Sequence, residues 1–130
     1  MQSEIKPEQM RSRTKAFALR VVKLYRALPH TSDAQEMGRQ LMRSSMSVAA
    51  NYRTVCGARS KADFASKLAV VLEEADEAVF WLEMLGESGI VPQKRLDSVI
   101  GEARQLARIL GAARRTVRST GTKTNTGLNN

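Results

Sequence analysis

The sequence predicts an all-α protein that folds as an antiparallel, up-down-up-down four-helix bundle. Apolar residues recur at alternating spacings of three and four, which is the 3.5-residue period of left-handed helix packing. Helix breakers and caps cluster at 29–33, 57–60 and 86–92, and they divide the chain into four long segments. Only 5% of the residues are aromatic, and the apolar residues are mainly those that favour helices. Because the connections are short, neighbouring helices must run antiparallel.

The first two predicted helices cover residues 8–28 and 33–56, and each carries one apolar stripe. The stripe of the first helix consists of Phe17, Val21, Leu24 and Leu28. Asp33 is the predicted N-cap of the second helix, with the acidic residue Glu36 three positions further on. The stripe of the second helix consists of Met37, Leu41, Ser44, Val48, Tyr52 and Val55.

The third and fourth predicted helices keep the same spacing over their whole length. Ser60 is the predicted N-cap of the third helix, and Asp63 occupies its third helical position. The stripe of this helix consists of Phe64, Leu68, Val71, Ala75, Ala78, Leu82 and Leu85. Pro92 lies at or near the first turn of the fourth helix, where proline is tolerated. The fourth stripe consists of Leu96, Val99, Ala103, Leu106, Leu110, Ala113 and Val117.

The length of 130 residues suits one folded unit. We predict the bundle over residues 8–118, a loose N-terminus over 1–7 and a disordered polar tail over 119–130, which is rich in threonine, asparagine and glycine. The first residues contain no apolar signal core, and the chain has no apolar run of about 18 residues that would span a membrane. We therefore expect a cytoplasmic protein that does not bind membranes.

The charge balance predicts attraction to polyanions, with nucleic acid as the first candidate. The chain has 21 basic and 13 acidic residues, and its net charge is +8. The charges are unevenly distributed, since residues 60–91 hold two basic and seven acidic side chains, whereas residues 92–118 hold seven basic and two acidic ones. Solubility alone is the other interpretation of this excess.

Six arginines form the predicted nucleic-acid-binding surface, because they lie on helix faces opposite the apolar stripes. They are Arg39, Arg43, Arg53, Arg104, Arg108 and Arg115. A planar guanidinium group binds phosphate oxygens bidentately. No aromatic residue lies between these arginines, so we expect contacts with backbone phosphates that are largely independent of sequence, and no base stacking. Ordinary solvated helix faces are the alternative, and the choice between RNA and DNA stays open.

Five apolar residues lie off the predicted core stripes of the first and third helices. They are Leu19, Val22, Phe80, Trp81 and Met84. One bundle has a single interior, so a second apolar face predicts a partner, and we expect a homo-oligomer that associates through these residues. The acidic third helix would then complement a basic helix of a neighbouring copy. A broad stripe that only covers the flank of the bundle is the alternative.

The sequence does not indicate a catalytic, metal or cofactor site. The only cysteine, Cys56, excludes an internal disulfide and a cysteine-based zinc site, and we expect it to be a small buried residue. The only histidine, His30, lies in a turn, whereas a two-metal centre in a bundle needs inward Glu-x-x-His pairs. Glu73 and Glu77 lie roughly opposite the apolar stripe of their helix. We therefore expect no enzyme activity, no metal and no cofactor.

Two adjoining stretches carry several short motifs in a fixed order. They read QLMRSSMSVAANYRTVCG over 40–57 and ARSKADFASKLAVVLEEADEAVFWLEMLGESGIV over 58–91. With these motifs the chain resembles the bacterial four-helix-bundle proteins encoded by intervening sequences in large-subunit ribosomal RNA genes. The resemblance covers about residues 15–119 and implies a ring-like homo-oligomer, often a pentamer. One departure is Thr54, because many members carry an acid at this position.

The chain is also similar to the accessory subunit of diversity-generating retroelements. That resemblance implies a basic oligomer that binds nucleic acid and a reverse transcriptase. We predict a non-catalytic, homo-oligomeric basic scaffold that binds nucleic acid through backbone phosphates. The alternative is a protein–protein interaction module, for example an accessory subunit of a reverse transcriptase, for which nucleic-acid binding is incidental.

Overall fold

The protein consists of four helices joined by short connections. The computed structural model describes the backbone of residues 6–129 and the side chains of residues 6–117. The helices are α1 (Pro7–Arg26), α2 (Ser32–Val55), α3 (Lys61–Glu87) and α4 (Gln93–Asn129). No strand occurs within residues 6–129. Because α2 packs against both α1 and α3, and α3 packs against α4, successive helices lie side by side and antiparallel. The predicted all-α four-helix bundle is confirmed.

The beginning of α3 follows the predicted capping pattern, whereas the beginning of α2 does not. The Ser60 hydroxyl accepts a hydrogen bond from the Asp63 backbone N–H at 3.0 Å. The prediction of Asp33 as the N-cap of α2 is wrong, because Thr31 is the N-cap. The Asp33 carboxylate lies in the first turn, where it accepts hydrogen bonds at 2.8 Å from the Thr31 hydroxyl and from the backbone N–H of Ala34. A carboxylate in the first turn still interacts favourably with the helix dipole.

The predicted apolar stripes form the core. The largest fully buried side chains all belong to these stripes: Phe17, Val21, Leu41, Val48, Val55, Leu68, Val71, Leu82, Leu85, Leu96, Leu106 and Leu110. The stripe of α1 also extends towards the N-terminus through Met10 and Thr14, which are 2% and 0% exposed and which the prediction missed. Both continue the helical spacing that leads to Phe17, so α1 packs on the core from its first turns.

Helices α1 and α2 approach closely at Gly38. A Cβ atom at this position would lie 2.5 Å from Leu28 Cδ1 and 2.6 Å from Tyr25 Cδ1. Only glycine therefore fits without displacement of the side chains of α1. The Tyr25 hydroxyl donates a hydrogen bond at 2.9 Å to Gln35 Oε1 and joins the two helices next to this contact. The register of α1 on α2 is therefore defined by a specific contact as well as by apolar burial.

The two ends of the bundle differ from their predicted bounds. Helix α1 already begins at Pro7, with Lys6 as its N-cap, while residues 1–5 of the predicted loose N-terminus lie outside the described residues. Helix α4 runs to Asn129, although the sequence predicts its end near residue 118. The segment 119–129 contains no proline that would stop a helix. The disorder predicted for 119–130 stays a prediction, because the side chains from residue 118 onward are outside the described part.

Candidate nucleic-acid interface

The six predicted arginines divide into two groups that have different electrostatic surroundings. All six are exposed. Three of them form ion pairs with carboxylates of the same chain: Arg39, Arg43 and Arg104. The other three make no ion pair with another described side chain: Arg53, Arg108 and Arg115. An exposed ion pair is weak, but it neutralises charge that a phosphate would otherwise meet. The sequence could not separate the two groups.

Arg43 on α2 joins two carboxylates of α3. Its guanidinium donates hydrogen bonds to Glu77 Oε2 and, at 3.3 Å, to Glu74 Oε2. Glu77 Oε2 also accepts a hydrogen bond at 3.1 Å from the indole N–H of Trp81. The hydrogen bond from Arg43, followed by that from Trp81, lowers the pKa of Glu77, although partial burial opposes the shift. This cluster fixes the indole ring against the flank where α2 and α3 meet.

Two further ion pairs neutralise acids of the bundle. Arg104 on α4 lies 2.9 Å from Glu83 of α3, and Arg39 lies 2.9 Å from Glu36 within α2. Together with the Arg43 cluster, these pairs show that part of the acidity of α3 is balanced by its neighbours in the same bundle. The acids of α3 that remain without an ion pair among the described residues are Glu73, Asp76 and Glu87.

The outer face of α4 is basic and lacks large apolar side chains. It carries Lys94, Arg104, Arg108 and Arg115 at helical spacing, with the small residue Gly101 among them. The exposed large hydrophobic residues of the described chain all lie on the other helices. On the side of α4 that faces α1, the carboxylate of Glu102 is held by Arg13 at 2.7 Å and so does not oppose the basic face. This arrangement suits a polar polyanion.

A second basic surface has different chemistry, because it combines cations with apolar side chains. A groove runs between α1 and α2 and is lined by Arg11, Ser12, Lys15, Ala18, Met46, Ala49, Ala50 and Arg53. The predicted site residue Arg53 lies here, on a different surface from the α4 arginines. The sequence reasoning missed Arg11 as its neighbour, because only the antiparallel register of α1 on α2 brings residues 11 and 53 to the same groove.

The five predicted interface residues are unequally exposed. Leu19 is 55% exposed and Phe80 is 48% exposed, whereas Val22, Trp81 and Met84 are half-buried. The rings of Phe80 and Trp81 meet edge to face, with centroids 4.9 Å apart. Two exposed apolar residues that the prediction missed extend these surfaces: Val70 on α3 and Met46 on α2.

The residues with reactive side chains form no catalytic arrangement in the described part of the chain. Cys56 is exposed, so the expectation that it is buried is wrong. It follows the last residue of α2 and therefore lies beyond the buried stripe. Among the described residues, no three His, Cys, Asp or Glu side chains come together as metal ligands. No helix in this range is both long and apolar enough to cross a membrane.

The fluorescence of Trp81, the only tryptophan, is expected to report the protonation of Glu77. Because the pKa of Glu77 is lowered, its carboxylate stabilises the fold above its ordinary pKa of 4.5, and this stabilisation is lost as the pH falls through the lowered value. The fluorescence should therefore change with a midpoint below 4.5. Arg43→Gln should raise the midpoint, and Glu77→Gln should abolish the transition. A midpoint that Arg43→Gln leaves unchanged would contradict the assignment.

The fold and the two basic surfaces define a non-membrane-spanning class of all-α bundle with no metal cluster among the described residues. The chain belongs to the 23S rRNA-intervening sequence protein family, whose model matches residues 8–112. It is similar to the crystal structure of a protein of unknown function from the S23 ribosomal protein family of Bacteroides thetaiotaomicron. The two are 30% identical with a TM-score of 0.78, and the match covers 85% of this chain and 99% of the other. No curated protein matches the chain significantly.

Proposed function

We propose that the protein is a non-catalytic, homo-oligomeric scaffold that binds nucleic acid through backbone phosphates in the cytoplasm. The observation that carries the proposal is the outer face of α4. Arg108 and Arg115 are exposed there without a carboxylate partner among the described residues, next to Lys94 and Arg104. Arginine side chains of this kind bind phosphate oxygens, and no large apolar residue on this face would favour a protein partner instead.

The chemistry of this face supports contacts with phosphates and not with bases. Helix α4 contains no aromatic residue, so it offers no platform on which a base could stack. The basic side chains of α4 are spread along the outside of the bundle and are not concentrated at a protruding helix end that would enter a groove of a duplex. Affinity should therefore come from the release of counterions, and sequence preference should be small.

Self-association would strengthen this binding. A single α4 face has few cations, and each exposed phosphate contact contributes little. If several copies assemble, one strand can contact several α4 faces at a high effective concentration. The apolar side chains of Leu19 and Phe80, which are exposed in the single chain, support such an assembly.

A salt titration tests the proposal directly. Binding of a fluorescent 30-nucleotide single strand and of the matching duplex would be followed by anisotropy between about 20 and 300 mM salt, with a second, unrelated sequence as the control. We expect the logarithm of the affinity to fall linearly with the logarithm of the salt concentration, with a slope of about −0.9 per neutralised phosphate on duplex and about −0.7 on single strands. The two sequences should bind about equally. No binding at the lowest salt concentration would overturn the proposal.

The second candidate function is a protein–protein interaction module, such as the accessory subunit of a reverse transcriptase to which the sequence is similar. The groove between α1 and α2 supports it, because an exposed Met46 lies there among cations. The salt titration also separates the two functions. Absence of nucleic-acid binding together with tight binding to a protein partner would favour the interaction module.

A further inference from the structure

Exposed apolar side chains occur on two separate surfaces of the bundle. One surface is the groove between α1 and α2, with Met46 inside it and Leu19 on the adjacent outer side of α1. The other is the outer side of α3, with Val70 and Phe80. Since α2 lies between α1 and α3, these surfaces face different directions. Each leaves apolar area exposed to water that a partner would cover.

The groove combines an apolar floor with a positively charged rim. Ala18, Met46, Ala49 and Ala50 form the floor, and small side chains at three of these positions leave room for a bulky partner residue. The rim consists of Arg11, Lys15 and Arg53, which make no ion pair with another described side chain. A suitable partner therefore has bulky apolar side chains that are flanked by carboxylates.

The outer side of α3 has this composition, and we call it the α3 ridge. Its apolar members are Val70, Phe80, Trp81 and Met84. Its acidic members are Glu73, Asp76 and Glu87, which are exposed and make no ion pair with another described side chain. The edge-to-face contact of Phe80 with Trp81 and the hydrogen bond from Trp81 to Glu77 hold the aromatic rings in a defined position. The ridge is therefore preorganised for binding.

We infer that the α3 ridge of one copy docks in the α1–α2 groove of a second copy. The inference rests on the self-association in the proposed function and specifies which surfaces meet. Three carboxylates of the ridge would face three cations of the groove, and Phe80 would cover the floor beside Met46. The match of both charge and apolar area favours a second copy as the occupant, because a helix of the required composition is already present in this chain.

The pairing has a consequence for the symmetry of the assembly. The ridge and the groove are different surfaces, so the contact is heterologous, and every copy has one of each to offer. Such contacts close into a ring or extend into a filament, whereas a two-fold dimer would require one surface to pair with itself. The outer face of α4 belongs to neither surface. It stays exposed in the assembly, while Arg53 becomes an interface residue and does not bind phosphate.

Two charge-reversed variants test the pairing. The groove variant carries Arg11→Glu, Lys15→Glu and Arg53→Glu, and the ridge variant carries Glu73→Lys, Asp76→Lys and Glu87→Lys. We expect the wild type to be oligomeric by light scattering and each variant alone to have the monomer mass, with helical circular dichroism retained. An equimolar mixture should regain an oligomeric mass, because the acidic groove then meets the basic ridge. The matched control, Arg20→Glu, Arg59→Glu and Lys61→Glu, has the same net charge as the groove variant and should not restore assembly when mixed with the ridge variant.

The outcomes separate this inference from the proposed function. If the wild type is oligomeric and the groove variant stays oligomeric alone, the pairing is wrong while self-association holds. If the wild type is a monomer at micromolar concentration, both the pairing and the homo-oligomer are wrong. In that case binding of a separate acidic, amphipathic helical peptide to the groove would identify a different protein as the occupant. Restoration of assembly by the control mixture would also overturn the pairing, since net charge alone would then explain it.

Discussion

The Leu82→Ala substitution is expected to lower the free energy of unfolding by about 2–5 kcal/mol. Leu82 is 0% exposed and lies in the middle of α3, the helix that packs against both α2 and α4. Truncation removes apolar contacts and leaves a cavity that long, mutually packed helices cannot close completely. Leu68 and Leu106, each 1% exposed, should behave in the same way.

Urea unfolding followed by circular dichroism measures this effect, at one protein concentration for all variants because assembly would shift the midpoints. Gln105→Ala is the control, since Gln105 is exposed on α4 and its truncation should change stability by no more than about 0.5 kcal/mol. If the midpoints of all three leucine variants equalled that of the control, the assignment of the helix faces would be wrong.

The fold could be predicted because its determinants are local and repetitive. Each stripe repeats the same spacing over several turns, so an error at one position does not change the face that is buried. Ser60 could be recognised as a cap because its partner, Asp63, is three residues away. Asp33 was misassigned because Thr31, two residues earlier, is also a capping residue, and only the backbone geometry decides between them.

The state of each arginine could not be predicted, because it depends on contacts between helices. Arg43 meets Glu74 and Glu77, which are 31 and 34 residues away, and this contact requires the register of α2 on α3. A helical face shows only that Arg43 points outward. Whether a carboxylate of a neighbouring helix reaches it depends on axial offsets of a few ångströms, which periodicity does not define. The same limit explains why the groove between α1 and α2 was missed as a unit.

The structure therefore divides the basic surface of the protein into parts with different chemistry. The cations of the α1–α2 groove stand beside exposed apolar side chains, which is the composition of a protein interface. The cations on the outer face of α4 stand beside small and polar residues, which suits a strongly hydrated polyanion. A net charge of +8 can thus serve assembly and nucleic-acid binding at the same time.

Replacement of Arg104, Arg108 and Arg115 by glutamate is expected to reduce nucleic-acid affinity at least about 100-fold at low salt. Three phosphate contacts are lost, and three like charges then repel the backbone. The decrease should be about equal for every sequence, because phosphate contacts do not distinguish bases. The salt dependence should also weaken by about 0.9 per lost contact on duplex.

The matched control is the triple variant Arg20→Glu, Arg59→Glu and Lys61→Glu, which lowers the net charge from +8 to the same +2. These residues are exposed and lie on α1, before α3 and at its start, so the control changes the net charge without changing the α4 face. It should lose much less affinity than the α4 variant and keep a salt slope close to that of the wild type. Because Arg104→Glu also places a carboxylate next to Glu83, the glutamine variants of the same three α4 arginines test whether loss of charge is sufficient. Equal losses in the α4 variant and the control would mean that net charge governs binding, and the α4 face would then have no special role.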